Sequence, residues 1–86
     1  MARIRTIKPA FFTSEDICRC SRDARLLFIG LWTEADREGR LEDRPGQIKI
    51  RIYPAEDDVN VAALLNELHA AGLIERYKIG PVGVLQ

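Results

Sequence analysis

Three groups of side chains in this 86-residue sequence could do chemistry. The first is the thiol pair Cys18 and Cys20, with the single histidine, His69, far along the chain. Zinc sites want four soft or imidazole ligands, usually from C-x-x-C pairs, and the C-x-C spacing here supplies neither the number nor the geometry. A disulfide between such near neighbours would be strained, so the pair reads as two thiols of a reducing compartment, with no metal or redox role. The second group is the carboxylate run Glu56, Asp57 and Asp58. It could hold a cation or exchange protons, but at the foot of a helical pattern carboxylates more simply stabilise a helix start. With no phosphate-cradling glycine loop and no nucleophile and base placed by a motif, neither catalysis, a cofactor nor a small-molecule substrate is expected.

The third group is cationic. Arg3, Arg5 and Lys8 stand in "MARIRTIKPAFF", Lys49 and Arg51 in "QIKIRIYP", and Arg76 and Lys78 in "LIERYKI". Lys and Arg spaced along an extended arm can follow a phosphate strand or enter a minor groove. Asn60 and Asn66, on a later helical segment, are of the type that reads adenine in a major groove. Against this stands the overall balance: Lys+Arg and Asp+Glu are both 13, and the net charge is zero. A strong nucleic-acid binder shows a basic excess. The charge is divided all the same, because Met1 to Arg51 carries a surplus of three positive charges and Ile52 to Gln86 a surplus of three negative ones.

These groups need elements to hold them. The length allows one domain, with roughly 60% of the unfolded surface buried. Four prolines and six glycines in a chain 47% hydrophobic and 30% charged are ordinary for a globular protein. The longest apolar run, "LLFIGLW" from Leu26 to Trp32, is too short to span a bilayer, and no secretory signal precedes it, so a cytoplasmic location without a membrane partner is expected.

Residues 1–9 read as a basic extended arm, followed by Phe11 and Phe12 as an anchoring aromatic pair. Thr13 or Ser14 can cap a short helix through "SEDICRC". Ser21 caps the central helix, about 21–38, closing at Arg37 and Gly39. There Ala24, Leu27, Phe28, Leu31 and Ala35 form one apolar stripe toward the core. Leu26, Ile29 and Trp32 lie outside it, so they are either covered by neighbouring segments or form a candidate protein interface.

"GRLEDRPG" reads as a short strand and turn. In "QIKIRIYP" the alternation of Ile48, Ile50 and Ile52 with Lys49 and Arg51 has the period of a strand, while Pro45 and the spacing of Ile48 and Ile52 also allow a two-turn helix before Pro54. A further helix, about 58–71, carries Val61, Leu64, Leu65 and Leu68 inward and ends at Gly72. Its exposed face would hold Val59, Ala63, Asn66 and Ala70, flanked by Asn60 and Glu67. Strands at about 73–79 and 82–86 then pair across Gly80-Pro81. The last strand begins close to the end of the sequence, which is expected to be part of something longer.

The blocks "IRTIKPAFF", "SRDARLLFIGLWTEADREGRLED" and "IYPAEDDVNVAALLNELHAAGLIERY", in this order and spacing, resemble the N-terminal winged-helix domain of phage and prophage replication proteins. That group includes replisome organisers and replication initiators and is related to the primosome proteins of the DnaD type. The resemblance covers nearly the whole chain. It implies an α+β, mainly helical fold: a winged helix-turn-helix over residues 1–86 with a small antiparallel wing sheet. It also implies that residues 45–53 form a supporting helix rather than a strand, that 58–71 is the candidate recognition helix, and that the last two strands are the wing.

Two roles follow from the resemblance. In one, the domain binds double-stranded DNA weakly in a replication or regulatory protein, through the basic arm and wing. In the other, it assembles replication proteins or copies of itself, through Leu26, Ile29 and Trp32. Asp57 to Ala71 contains no Lys or Arg, which disfavours base reading by that helix.

Overall fold

The fold is organised around the helix that Ser21 starts. The computed structural model describes residues 6–86, so Arg3 and Arg5 lie outside the described residues. Two single-turn helices, α1 (Ala10–Thr13) and α2 (Glu15–Cys18), lead into the central α3 (Arg22–Glu34). A two-residue strand β1 (Leu41–Glu42) follows, then α4 (Pro45–Ile52), α5 (Val61–Ala70), β2 (Arg76–Ile79) and β3 (Val82–Leu85). The strands form one antiparallel sheet in the order β1-β3-β2, with Leu41 opposite Leu85 and Ile79 opposite Val82. The architecture is therefore α+β, mainly helical, with a small three-stranded sheet.

The core forms where α3, α4 and α5 meet. Leu27, Leu65 and Leu68 are fully buried, each contributing about 1.5–3 kcal/mol of transfer free energy. Cys20, Ala24, Leu31, Ile48, Tyr53, Val61, Ile74 and Leu85 complete the cluster. The α3 stripe anticipated from periodicity faces this core, with Phe28 at its margin. The segment "QIKIRI" is helical, against its strand-like alternation. Pro45 occupies the first turn, Ile48 enters the core and Ile52 lies one turn further on the same side, while Ile50 points away and is 70% exposed. Alternation there marks two isoleucines turned to the core and one turned to solvent, not a pleated strand.

Several boundaries differ from the sequence expectation, each for a local reason. The central helix ends at Glu34 rather than near 38, because Asp36 offers the backbone a competing arrangement. Its carboxylate accepts the N–H groups of Glu38 (3.0 Å) and Arg40 (2.8 Å), and Gly39 adopts φ +76 to complete the turn. Those backbone hydrogen bonds, the one from Arg40 foremost, hold the Asp36 carboxyl below its ordinary pKa. Likewise α5 begins at Val61, not at the Asp57-Asp58 pair. Its N-cap is Asn60, whose side chain accepts from the Ala63 N–H at 3.1 Å. The far end closes as the glycine predicted: Gly72 has φ +77, and the Leu73 N–H reaches back to the Leu68 carbonyl at 3.1 Å.

Two contacts fix α3 against its neighbours. At Gly30 a Cβ would lie 2.7 Å from Ile52 Cγ2, so the glycine lets α4 approach the α3 backbone directly. The Tyr53 hydroxyl donates to the Asp23 carbonyl. Burial, together with the charges of Asp23 and Glu56, pushes this phenol up to about 12.

We expect Gly30→Ala to destabilise the fold by about 1–2 kcal/mol, overpacking outweighing the gain in helix propensity. In an Ile52→Ala background the same change should be neutral or stabilising; additivity in denaturant titrations of all four proteins would count against the close approach. The Tyr53 phenol stays protonated longer in the folded state than in the unfolded one, so its contribution is complete below pH 10 and is lost as pH climbs toward 12. Chemical denaturation across that window should show falling stability, with a shallower slope for Tyr53→Phe.

Candidate nucleic-acid interface

The cationic and amide side chains singled out in the sequence are dispersed over the fold, and most are already engaged. Arg76 on β2 is the clearest case. Its Nε donates to Asp43 Oδ2 at 2.7 Å and its Nη2 to Asp43 Oδ1 at 3.1 Å, a two-pronged pairing. Its Nη1 donates to Asn66 Oδ1 at 2.7 Å. The Arg76 side chain is 25% exposed and that of Asp43 only 14%, so this guanidinium ties the sheet to α5 and is not offered to a phosphate. The backbone secures Asp43 as well: its N–H donates to the Gly83 carbonyl at 2.9 Å, and at Gly83 a Cβ would come within 3.3 Å of Asp43 Cβ.

Both asparagines use their side-chain oxygens within the fold: Asn60 caps α5 and Asn66 accepts from Arg76. Glu67, expected beside the exposed face of α5, turns instead to the start of α3. Its carboxylate accepts from the Ser21 backbone N–H and, at 3.0 Å, from the Ser21 hydroxyl, which in turn caps α3 through the Ala24 N–H. Val59 also departs from expectation, packing against the core. What α5 presents to solvent is Ala62, Ala63, Asn66, His69 and Ala70, a surface without a formal charge when His69 is neutral.

Elsewhere, Arg51 pairs with Glu34 at 3.4 Å across the α3–α4 contact, and the half-buried Lys49 donates to the Tyr53 carbonyl at 3.5 Å. Lys8 and Lys78 remain exposed and make no ion pair among the described residues. Lys78 sits opposite Gly83 in the β2–β3 hairpin, whose Gly80 has φ +58 and whose Ile79 and Val82 are exposed near the turn.

The candidate protein interface also divides. Leu26 is 53% exposed, Ile29 is half-buried, and the half-buried Trp32 stands edge-on to Phe11 and Phe28. Of the anticipated anchoring pair, only Phe11 enters this cluster from within; Phe12 is 64% exposed. Cys18 is an exposed free thiol, while Cys20 is buried, which together with the Glu67 charge raises its pKa. Among the described residues no helix is long and apolar enough to cross a membrane.

Comparison with protein families, curated proteins and solved structures gives no match. Sequence reasoning missed the pairings of Asp43 with Arg76 and of Ser21 with Glu67 because the partners lie 33 and 46 residues apart in the chain, a separation that no periodicity encodes.

Removing one partner of the Asp43–Arg76 pair leaves the other half-buried and uncompensated. Asp43→Ala should cost about 1–3 kcal/mol in urea unfolding, against less than about 0.5 kcal/mol for the exposed Lys78→Ala, two residues along β2 from Arg76. Equal costs for the two would mean that the pair adds no more than a surface charge does.

Proposed function

We propose that this chain is a winged-helix domain of a phage-type replication or regulatory protein, and that it binds the backbone of duplex DNA without reading its bases. The order helix, strand, helix, helix, strand, strand from α3 to β3 supports the winged-helix assignment, as does a closing hairpin held beside α5 by Arg76. The observation that carries the binding mode is the state of α5. The side-chain oxygens of Asn60 and Asn66 are both taken up within the fold, and the exposed surface of α5 carries no formal charge when His69 is neutral. Base readout needs free donors and acceptors on the helix that enters the groove, so specificity from α5 is disfavoured. Phosphate contact then falls to Lys78 on the wing and to the arm residues Arg3, Arg5 and Lys8. Few charges give weak, salt-sensitive association in the micromolar range or weaker.

A second reading has its own support. The small side chains of α5 and the exposure of Leu26 suit contact with another protein, and a domain with zero net charge gains little from electrostatic attraction to DNA. In this reading the domain assembles a replication complex or pairs with its own copies.

Fluorescence anisotropy of a labelled duplex, titrated at several salt concentrations, separates the two. On the first reading, Arg3→Ala with Arg5→Ala lowers the log-log salt slope by about two and Lys78→Ala by about one. Absence of duplex binding at low salt sinks it. On the second, Leu26→Glu shifts sedimentation from oligomer to monomer without loss of helical signal; unfolding instead would make Leu26 a core residue.

A further inference from the structure

The aromatic residues ahead of α3 form a graded stack. Phe11 lies parallel to Phe28 at 6.4 Å between ring centroids and edge-on to Trp32 at 5.6 Å, which fixes it against the central helix. Phe12 meets Phe11 edge-to-face at 5.2 Å, yet most of its surface remains in water. Its backbone is held too: the Phe11 N–H donates to the Lys8 carbonyl at 2.9 Å and the Phe12 N–H to the Pro9 carbonyl at 3.1 Å. A large ring is thus displayed on a braced turn, where folding gains little from its burial.

In sequence the charge ahead of this ring is one-sided. Residues 1–12 contain Arg3, Arg5 and Lys8 and no acid. Lys8 is exposed and stands four residues before Phe12 in the chain. On the following helix Asp16 is paired with Arg19 at 3.1 Å, leaving Glu15 as the opposing carboxylate. A solvent-facing aromatic ring with an exposed cation close by in the chain is the combination that grips single-stranded nucleic acid, the ring stacking on a base and the cation meeting its phosphate. A duplex does not offer that surface, since each base face is covered by its neighbour in the stack.

We propose that Phe12 and Lys8 form a site for single-stranded DNA, with an unpaired base stacked on Phe12 and an adjoining phosphate held by the Lys8 ammonium. This site is separate from the wing and does not require the wing to bind duplex. Its charge complementarity favours a nucleic acid over an apolar protein partner, although Ile7 is also exposed nearby.

The test uses the full chain and a short fluorescein-labelled oligo(dT), titrated by anisotropy at two salt concentrations beside a duplex control. Phe12→Leu should weaken oligo(dT) binding roughly tenfold while leaving duplex binding and thermal stability unchanged, and Phe12→Tyr, which keeps the ring, should retain affinity to within about twofold. Lys8→Ala should lower the oligo(dT) salt slope by about 0.7. The proposal is overturned if wild type fails to bind oligo(dT) at low salt, or if Phe12→Leu binds it as well as wild type does. It is overturned equally if Phe12→Leu alters only self-association in sedimentation velocity, which would make the ring a protein contact. Loss of duplex binding on Lys78→Ala with oligo(dT) binding intact would separate this site from the wing.

Discussion

A single guanidinium, that of Arg76, sets how the sheet stands against the helices. Arg76 belongs to β2, Asp43 to the junction between β1 and α4, and Asn66 to the exposed side of α5. The planar fork of arginine donors fixes angles as well as distances, so the hairpin cannot rotate about α5 without breaking at least one of three hydrogen bonds. Apolar packing would tolerate such a rotation more readily, since it is non-directional. The absence of a side chain at Gly83 completes the arrangement by letting Asp43 close on β3. Any joint action of α5 and the hairpin on a partner depends on this polar clamp.

Part of the positive charge is neutralised within the chain in the same way. Arg19, Arg40, Arg44, Arg51 and Arg76 all pair with carboxylates of this chain. The exposed pairs, such as Arg19 with Asp16 and Arg44 with Glu42, are worth about 0–1 kcal/mol each. Their larger effect is to neutralise the surface. Arg22, Arg25 and Arg37 make no ion pair among the described residues, and in sequence the arm is where cations are not answered by acids.

Much of the fold was legible because its signals are local. The α3 stripe, the Ser21 cap, the Gly72 stop and the Gly80 turn each follow from residues within a few positions of one another. "QIKIRI" misled by periodicity, since two facing isoleucines and one outward one mimic alternation; the family resemblance gave the correct element. The helix ends moved wherever a short polar side chain, Asp36 or Asn60, captured backbone N–H groups. The site was less legible. Arg76, Asn60 and Asn66 have the right residue types for DNA, but type does not reveal prior engagement, and a partner such as Asp43 is defined only once the sheet has formed. Phe12 shows the opposite failure: an aromatic residue beside Phe11 looks like core in sequence, and only the turn of α1 separates the inward ring from the outward one.

The bridge from Glu67 to Ser21 makes the start of one helix a property of another. In a capping box the acidic partner lies three residues downstream on the same helix; here it is supplied by α5, and Ala24 occupies the downstream position. Positions 21 and 67 are consequently coupled in any divergent copy of this sequence. An aspartate at 21, a good cap in isolation, would face the Glu67 carboxylate, so drift at either position is constrained to pairs in which one side donates and the other accepts.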